Sequence, residues 1–216
     1  MEHKRITLFT GHYGSGKTNI AVNYAMQMAR DGLAVTIADL DIVNPYFRTK
    51  DSAEELAEAG IRLISSAYAN SNVDLPALPA ELYALTEDKT RYAVLDIGGD
   101  DRGALALGRY APAIREEGNY ENIFVANFYR PLTTTAEEAL AVMREIEAAG
   151  QIPFTAIVHN SNLGIETSAE DVRAMAGEAD RLAKMASLPL LFTAADERIA
   201  NEIPAAFPLR LQKKIT

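Results

Sequence analysis

The segment Gly11–Thr18 constrains this chain more than any other part of its sequence, because it reads Gly-x-x-x-x-Gly-Lys-Thr. Glycines allow successive backbone N–H groups to turn inward toward phosphate oxygens. Lys17 is long enough to reach β and γ phosphates, and the Thr18 hydroxyl can ligate Mg²⁺. A β-prone run precedes the loop and apolar residues at helical spacing follow it, over 6–10 and 20–28. This context predicts a site for a nucleoside triphosphate with Mg²⁺. The predicted nucleotide-binding residues here are Gly11, His12, Tyr13, Gly14, Ser15, Gly16, Lys17, Thr18 and Asn19.

The rest of the chain alternates short apolar runs with helical patterns. Near-continuous apolar strands separated by helices are typical of a parallel sheet covered on both faces. Because no repeat or linker interrupts the pattern, we predict one doubly wound, mostly parallel α/β domain over 1–216, with helices on both faces. The further predicted strands are 34–38, 61–64, 92–97, 123–127, 154–159 and 190–193, and the further predicted helices are 51–59, 136–149 and 168–185.

Composition narrows the function classes. The chain has no Cys, which excludes thiolate metal sites, and a net charge of −9, which argues against a broad nucleic-acid surface. The N-terminus lacks a signal-peptide pattern, so we expect a cytoplasmic protein. The tail 207–216 mixes basic and apolar residues, but it is short and contains Pro208, so membrane attachment is not expected.

Acidic and glycine residues follow two of the predicted strands. Asp96 ends the apolar run 92–95 and precedes Gly98 and Gly99, which is the pattern of a Walker B strand. Either glycine could offer a backbone N–H to a γ-phosphate. Asp39 and Asp41 stand two apart at the end of the second strand, so an extended chain places them on one side. The alternative for these carboxylates is a role in solvated or capped turns.

These three segments together resemble the MinD/ParA-type ATPases, within the wider class that includes the nitrogenase iron protein and the arsenite-pump ATPase. The resemblance implies ATP and Mg²⁺ as ligands, and a sheet of seven or eight mostly parallel strands. By position, Asp41 resembles the residue that orients the attacking water, which makes it a catalytic candidate with Lys17. Thr18, Asp39 and Asp96 resemble the residues around the Mg²⁺. Many members form a homodimer around two sandwiched ATP molecules.

The chain departs from that family at the start of its phosphate loop. Where the family has Lys-Gly, this sequence has His12 and Tyr13. Imidazole is shorter than a lysine side chain and largely neutral at pH 7. We therefore expect little ATP-driven homodimer and slow turnover, unless Arg48 replaces the charge in cis or in trans.

Base recognition is predicted from the end of the strand 154–159. GTPases read guanine through Asn-Lys-x-Asp, and the comparable segment here has Asn160 but neither that Lys nor that Asp. An amide can donate to and accept from the adenine edge. Resemblance to the family also implies adenine contacts from Asn160 and from the loop after 191–193, which favours ATP.

Three functions fit these observations. The first is an ATPase that acts as a nucleotide-dependent switch on a protein partner or a metallocofactor system. The second is an ATP-dependent ligase or carboxylase that resembles dethiobiotin synthetase and binds a small molecule beside the γ-phosphate. The third is a nucleotide-binding regulator with negligible turnover. The sequence favours the first and does not name a partner or substrate.

Overall fold

Eight parallel strands form one sheet in the computed structural model, which describes residues 3–40, 49–65, 85–99 and 101–211. The strand order is β3-β2-β4-β1-β5-β6-β7-β8, with every described pair parallel. This arrangement confirms the predicted fold class. The strands are β1 (Ile6–Thr10), β2 (Val35–Leu40), β3 (Arg62–Ser65), β4 (Tyr92–Ile97), β5 (Tyr120–Ala126), β6 (Ala156–His159), β7 (Leu190–Asp196) and β8 (Phe207–Leu209).

Helices connect the strands and cover both faces of the sheet. They are α1 (Lys17–Arg30), α2 (Ala53–Glu58), α3 (Asp101–Gly108), α4 (Ala111–Glu117), α5 (Ala136–Gly150), α6 (Ala169–Ala174) and α7 (Ala176–Ala186), with short 3₁₀ turns at Thr49–Ser52, Gly164–Glu166 and Ala200–Glu202. The sequence predicted neither α3 nor α4. Glycines at 103 and 108 and Pro112 are loop signals, but burial of Ala104, Leu107 and Ile114 against the sheet overrides them.

The predicted helix over 168–185 is two helices in the structure. Ser168 caps the first through a capping box with Asp171, as local sequence rules allow. The break falls at Met175, whose N–H donates to the carbonyl of Val172 at 3.3 Å instead of continuing the α-helical pattern. The hydrophobic spacing is continuous across this residue, so periodicity alone does not reveal the break.

Alternation along the strands sends side chains to two separate cores. Phe9 and Val94 pack on the face covered by α1, whereas Leu8 and Leu95 pack on the opposite face. Such alternation is the consequence of the two-residue period of a β-strand. It also fixes the direction of polar residues at the strand ends, which is what positions the candidate site. Among the helices that the structure describes, none has the length and apolar composition of a membrane span.

His159 on β6 is a buried histidine that should make stability depend on pH. Its side chain is fully enclosed, and burial lowers the pKa of the imidazole to about 4, although Asp180 opposes the shift. The unfolded chain therefore takes up a proton near its ordinary pKa of about 6.5, while the folded chain resists protonation down to about 4. The contribution of neutral His159 to the free energy of unfolding is therefore fully present above pH 6.5 and is lost as the pH falls toward 4.

We predict that His159 lowers the free energy of unfolding by about 2 kcal/mol between about pH 7 and about pH 5. The measurement is urea unfolding at both pH values for the wild type and for His159→Phe, which cannot titrate. The variant should show a smaller difference between the two pH values. Equal differences in both proteins would show that His159 is not the titrating group.

Candidate nucleotide-binding site

The loop between β1 and α1 is held in a shape that requires glycine at two positions. A Cβ atom on Gly11 would lie 2.6 Å from the carbonyl oxygen of Val125, so the chain passes too close to β5 for any side chain. Gly16 has a φ of 90°, in the left-handed region, and a Cβ there would collide with the side-chain nitrogen of Asn160. Between them, the N–H of Ser15 donates to the carbonyl of His12 at 3.1 Å. The predicted loop is therefore a tight, compact turn.

The N-terminus of α1 opens directly onto this loop. The first backbone N–H groups of any α-helix lack intrahelical acceptors, and the helix dipole makes this end favourable for anions. Lys17 is the first residue of α1, is only 5% exposed and donates from Nζ to the His12 carbonyl at 3.2 Å. The Ser15 hydroxyl is buried in the loop and has no hydrogen-bond partner among the described residues. These groups bring several hydrogen-bond donors together at the loop between β1 and α1.

Two carboxylates lie beside the loop at the ends of neighbouring strands. Asp39 and Asp96 are register partners on β2 and β4, and both are buried. Ile37 and Val94, two residues earlier on the same strands, pack on the α1 face, so both carboxylates project toward that face. Adjacent like charges repel each other, and a divalent cation relieves that repulsion. Thr18 lies in the first turn of α1, which gives a candidate set of metal ligands with one hydroxyl and two carboxylates.

The segment that follows β4 touches the phosphate loop. A Cβ on Gly99 would lie 2.7 Å from Nζ of Lys17 and 2.7 Å from the backbone nitrogen of Tyr13. Only a glycine can occupy such a position without displacing its neighbours. Gly98 is buried beside it. The loop after β4 and the phosphate loop therefore contact each other directly, and the predicted contact of Gly98 or Gly99 with a γ-phosphate stays a prediction.

Asn160 has a contact that the sequence did not predict. Its Nδ2 donates to the backbone carbonyl of Ser15 at 2.7 Å, and the residue is 2% exposed. The side chain thus supports the phosphate loop from the end of β6 with one of its two amide N–H donors, and its predicted contact with a base stays a prediction. The adjacent Asn162 is engaged in its own turn, since its amide donates to the carbonyl of Asn160 and its Oδ1 accepts from the N–H of Gly164.

Sequence reasoning missed two residues that the structure places at the site. Thr49 is buried just before α2, and its Oγ1 donates to Oδ2 of Asp96 at 3.1 Å. Arg130, from the loop after β5, donates from Nε to the carbonyl of Gly14 at 3.0 Å. Neither has a motif around it, and each contact joins residues at least 47 positions apart. No local signal in the sequence could have found them.

The other predicted site residues take the following places. His12 and Tyr13 form the outer part of the loop, with Tyr13 49% exposed and the His12 ring nitrogen Nδ1 at 3.1 Å from the Tyr13 carbonyl. Asn19 lies in the first turn of α1, where its carbonyl accepts from Asn23. Asp41 and Arg48 lie outside the described residues, so their predicted roles stay predictions.

Comparison of the sequence alone identifies no relative: no family model matches the chain, and no curated protein matches it. Comparison of the structure finds solved proteins with a similar fold. The fold is similar to that of cell division protein FtsY from Thermotoga maritima, with a TM-score of 0.61 and 17% identity over 89% of this chain and 62% of that chain. It is also similar to chloroplast FtsY from Physcomitrella patens, with a TM-score of 0.60 and 19% identity over 91% of this chain and 60% of that one.

A third similar structure is the signal recognition particle 54 kDa protein from Aeropyrum pernix K1 in complex with GDP, with a TM-score of 0.53, 17% identity, and coverage of 89% and 41%. This chain therefore spans about three fifths, or less, of the length of these neighbours. At such low identity the likeness concerns the fold. It does not single out the MinD/ParA-type ATPases that the sequence resembles. The chain has the doubly wound α/β fold of the P-loop NTPases.

Proposed function

We propose that this chain is a single nucleotide-binding domain that binds Mg-ATP, hydrolyses it slowly and acts as a nucleotide-dependent switch on a protein partner. The observation that carries the proposal is the enclosed set of donors between β1 and α1. It combines a tight glycine loop, a helix N-terminus, the nearly buried Lys17 ammonium and the unsatisfied Ser15 hydroxyl. Phosphate oxygens are the acceptors that suit such a concave group of N–H and O–H donors.

The donor set beside the loop suits Mg²⁺. This ion prefers oxygen ligands, keeps several of its waters and is held by few protein groups together with phosphate oxygens. Thr18 would ligate it directly, while Asp39 and Asp96 would accept hydrogen bonds from its waters. When bound, Mg²⁺ would supply charge neutralisation on the phosphates. Thr49 would keep the Asp96 carboxylate in its orientation through the hydroxyl contact described above.

Adenine is proposed as the base because the segment 160–163 lacks the aspartate of the guanine-binding motif. Guanine offers two adjacent N–H donors, which an aspartate accepts in the Asn-Lys-x-Asp motif. Leu163 stands at that aspartate position and is 51% exposed. The nearby Asp196 is already engaged by Arg198, whose Nε and Nη2 donate to its two oxygens at 3.0 and 2.8 Å. Burial raises the pKa of Asp196, but these hydrogen bonds outweigh it and leave the pKa below its ordinary value.

A GTP-binding protein is the second candidate, because the similar structures include proteins in complex with GDP. Isothermal titration of the wild type with Mg-ATP and Mg-GTP separates the two. We expect ATP to bind about fivefold or more tightly, since one unmet pair of guanine donors costs at least about 1 kcal/mol. Tighter binding of GTP would overturn the adenine assignment, and binding of neither would overturn the proposed function.

A gain of guanine binding should follow from Leu163→Asp. The new carboxylate would stand where guanine N–H groups need an acceptor, so the ratio of ATP to GTP affinity should fall by about tenfold. Ile165→Asp is the matched control, because Ile165 is 74% exposed in the same loop and two positions away. An equal change in both variants would show that the effect is a general one of added charge.

The switch role is supported by the contact of Gly99 with the phosphate loop. A γ-phosphate near Lys17 would lie where the loop after β4 now approaches, so its presence or absence would bias that loop. A protein partner is supported by apolar side chains exposed on the loops at this edge of the sheet, namely Tyr13, Leu132, Leu163 and Ile165. Phosphate release from Mg-ATP, measured alone and with lysate protein fractions, tests this part of the proposal. Consumption of a small metabolite in this assay would instead support the ligase alternative.

A further inference from the structure

Arg130 lies against the phosphate loop although it comes from a distant part of the chain. Its Nε donates to the Gly14 carbonyl at 3.0 Å. A Cβ built on Gly14 would lie 3.5 Å from Nε and 3.8 Å from Cζ of the guanidinium. The guanidinium therefore lies against the backbone of the loop at Gly14. Gly14 has a φ of 76°, which a residue with a side chain rarely adopts.

The turn that carries Arg130 is fixed by buried polar groups. Asn127 is 1% exposed, and its Oδ1 accepts from the N–H of Tyr129 at 3.1 Å. The Thr133 hydroxyl donates to the Asn127 carbonyl at 2.8 Å. The N–H of Phe128 donates to the Ser161 hydroxyl at 3.0 Å, which joins the turn to the end of β6. The course of the backbone through Arg130 is thus fixed by these contacts.

The same turn contains backbone strain. Leu132 has a φ of 67°, in the left-handed region, and its side chain is 64% exposed. A non-glycine residue there is strained, and such strain persists mainly where the surrounding structure enforces it, often at ligand sites. The Leu132 side chain is exposed, so its burial does not offset the strain of this turn. The position of Arg130, in contrast, depends on the course of the turn.

We propose that Arg130 is a phosphate-binding residue, which supplies a second positive charge to the triphosphate alongside Lys17. This inference rests on the proposed function. Nε is engaged by Gly14, and the guanidinium still has the N–H groups of its two terminal nitrogens, in the fork geometry that suits phosphate oxygens. The charge lies in cis, on the same chain as the loop. Its contribution is to ligand affinity, and it requires no movement of a second subunit.

The test compares Arg130→Gln and Arg130→Lys in the full chain, with Mg-ATP and inorganic tripolyphosphate as separate ligands in isothermal titration. Glutamine keeps a donor for the Gly14 carbonyl but removes the charge, so affinity for both ligands should fall about tenfold. Lysine keeps the charge but lacks the fork, so its affinity should lie between that of Arg130→Gln and that of the wild type. Arg144→Gln is the matched control for net charge, because Arg144 pairs with Glu147 on the surface of α5.

Each other outcome overturns the inference in a recognisable way. Unchanged affinity of Arg130→Gln would show that the charge does not act on the phosphates. Weaker binding of ATP with unchanged binding of tripolyphosphate would place Arg130 at the base or ribose. An equal loss of affinity in Arg130→Lys and Arg130→Gln would show that Arg130 only supports the backbone at Gly14. A lower melting temperature of these variants without ligand would show the same. A wild type that binds neither ligand would overturn the proposed function as well.

Discussion

Replacement of Lys17 by alanine should weaken the binding of Mg-ATP by about 10- to 150-fold, since a hydrogen bond from a charged group is worth about 1.5–3 kcal/mol. The side chain is 5% exposed and lies at the first position of α1. Its Nζ donates to the His12 carbonyl at 3.2 Å, which places the ammonium at the loop where the phosphates are proposed to bind. Isothermal titration with ATP provides the measurement.

Lys184→Ala is the matched control for this loss of charge, because Lys184 is an exposed residue near the C-terminal end of α7. It should bind ATP as the wild type does. Circular dichroism should show the same helical content in both variants. If Lys17→Ala and the wild type had the same affinity, the loop between β1 and α1 would not be the phosphate site.

The second large effect is expected from Asp96→Asn. Phosphate release from Mg-ATP should fall by about 10- to 100-fold, which is the usual consequence of altering a group that holds the surroundings of a metal. Asp96 is fully buried and accepts from Thr49, so the isosteric asparagine preserves the packing while it removes one of two neighbouring negative charges. The measurement is phosphate release at a series of Mg²⁺ concentrations.

The Mg²⁺ dependence distinguishes this role from a structural one. If Asp96 acts through the cation, the variant should need more Mg²⁺ for half-maximal release, while its affinity for ATP without Mg²⁺ changes little. Asp180→Asn, an exposed position on α7, is the matched control and should behave as the wild type does. A variant with wild-type Mg²⁺ dependence would place Asp96 outside the metal site.

Much of the fold could be predicted because its signals are local. The buried strands read as continuous apolar runs, and β1 and β4 have the predicted bounds. Thr135 caps α5 by accepting from the N–H of Glu138, as its position before a helical pattern suggests. The edges of other elements differ by a few residues. β2 continues to Leu40 because its pairing with β4 extends past Asp39, and cross-strand pairing is not visible in a linear pattern.

The sequence by itself determined the phosphate loop, because each of its requirements is met by consecutive residues. Glycines permit the backbone angles, and the lysine and threonine follow at the start of a helix, so neighbours along the chain are neighbours in space. The pairing of Asp39 with Asp96 also follows once the strand order is known, since parallel strands end at the same edge. The order itself, with β4 between β2 and β1, is a property of the assembled sheet.

Only the tertiary structure decided which side chains support that loop. Asn160 reaches Ser15 across 145 positions, and Arg130 reaches Gly14 across 116. Both contacts depend on β5 lying next to β1 and β6 lying next to β5, so that the loops after these strands meet the phosphate loop at one edge of the sheet. A side chain recognises a backbone carbonyl whatever the residue that carries it, so such contacts impose no pattern on the sequence. They become visible only when the strands are packed together.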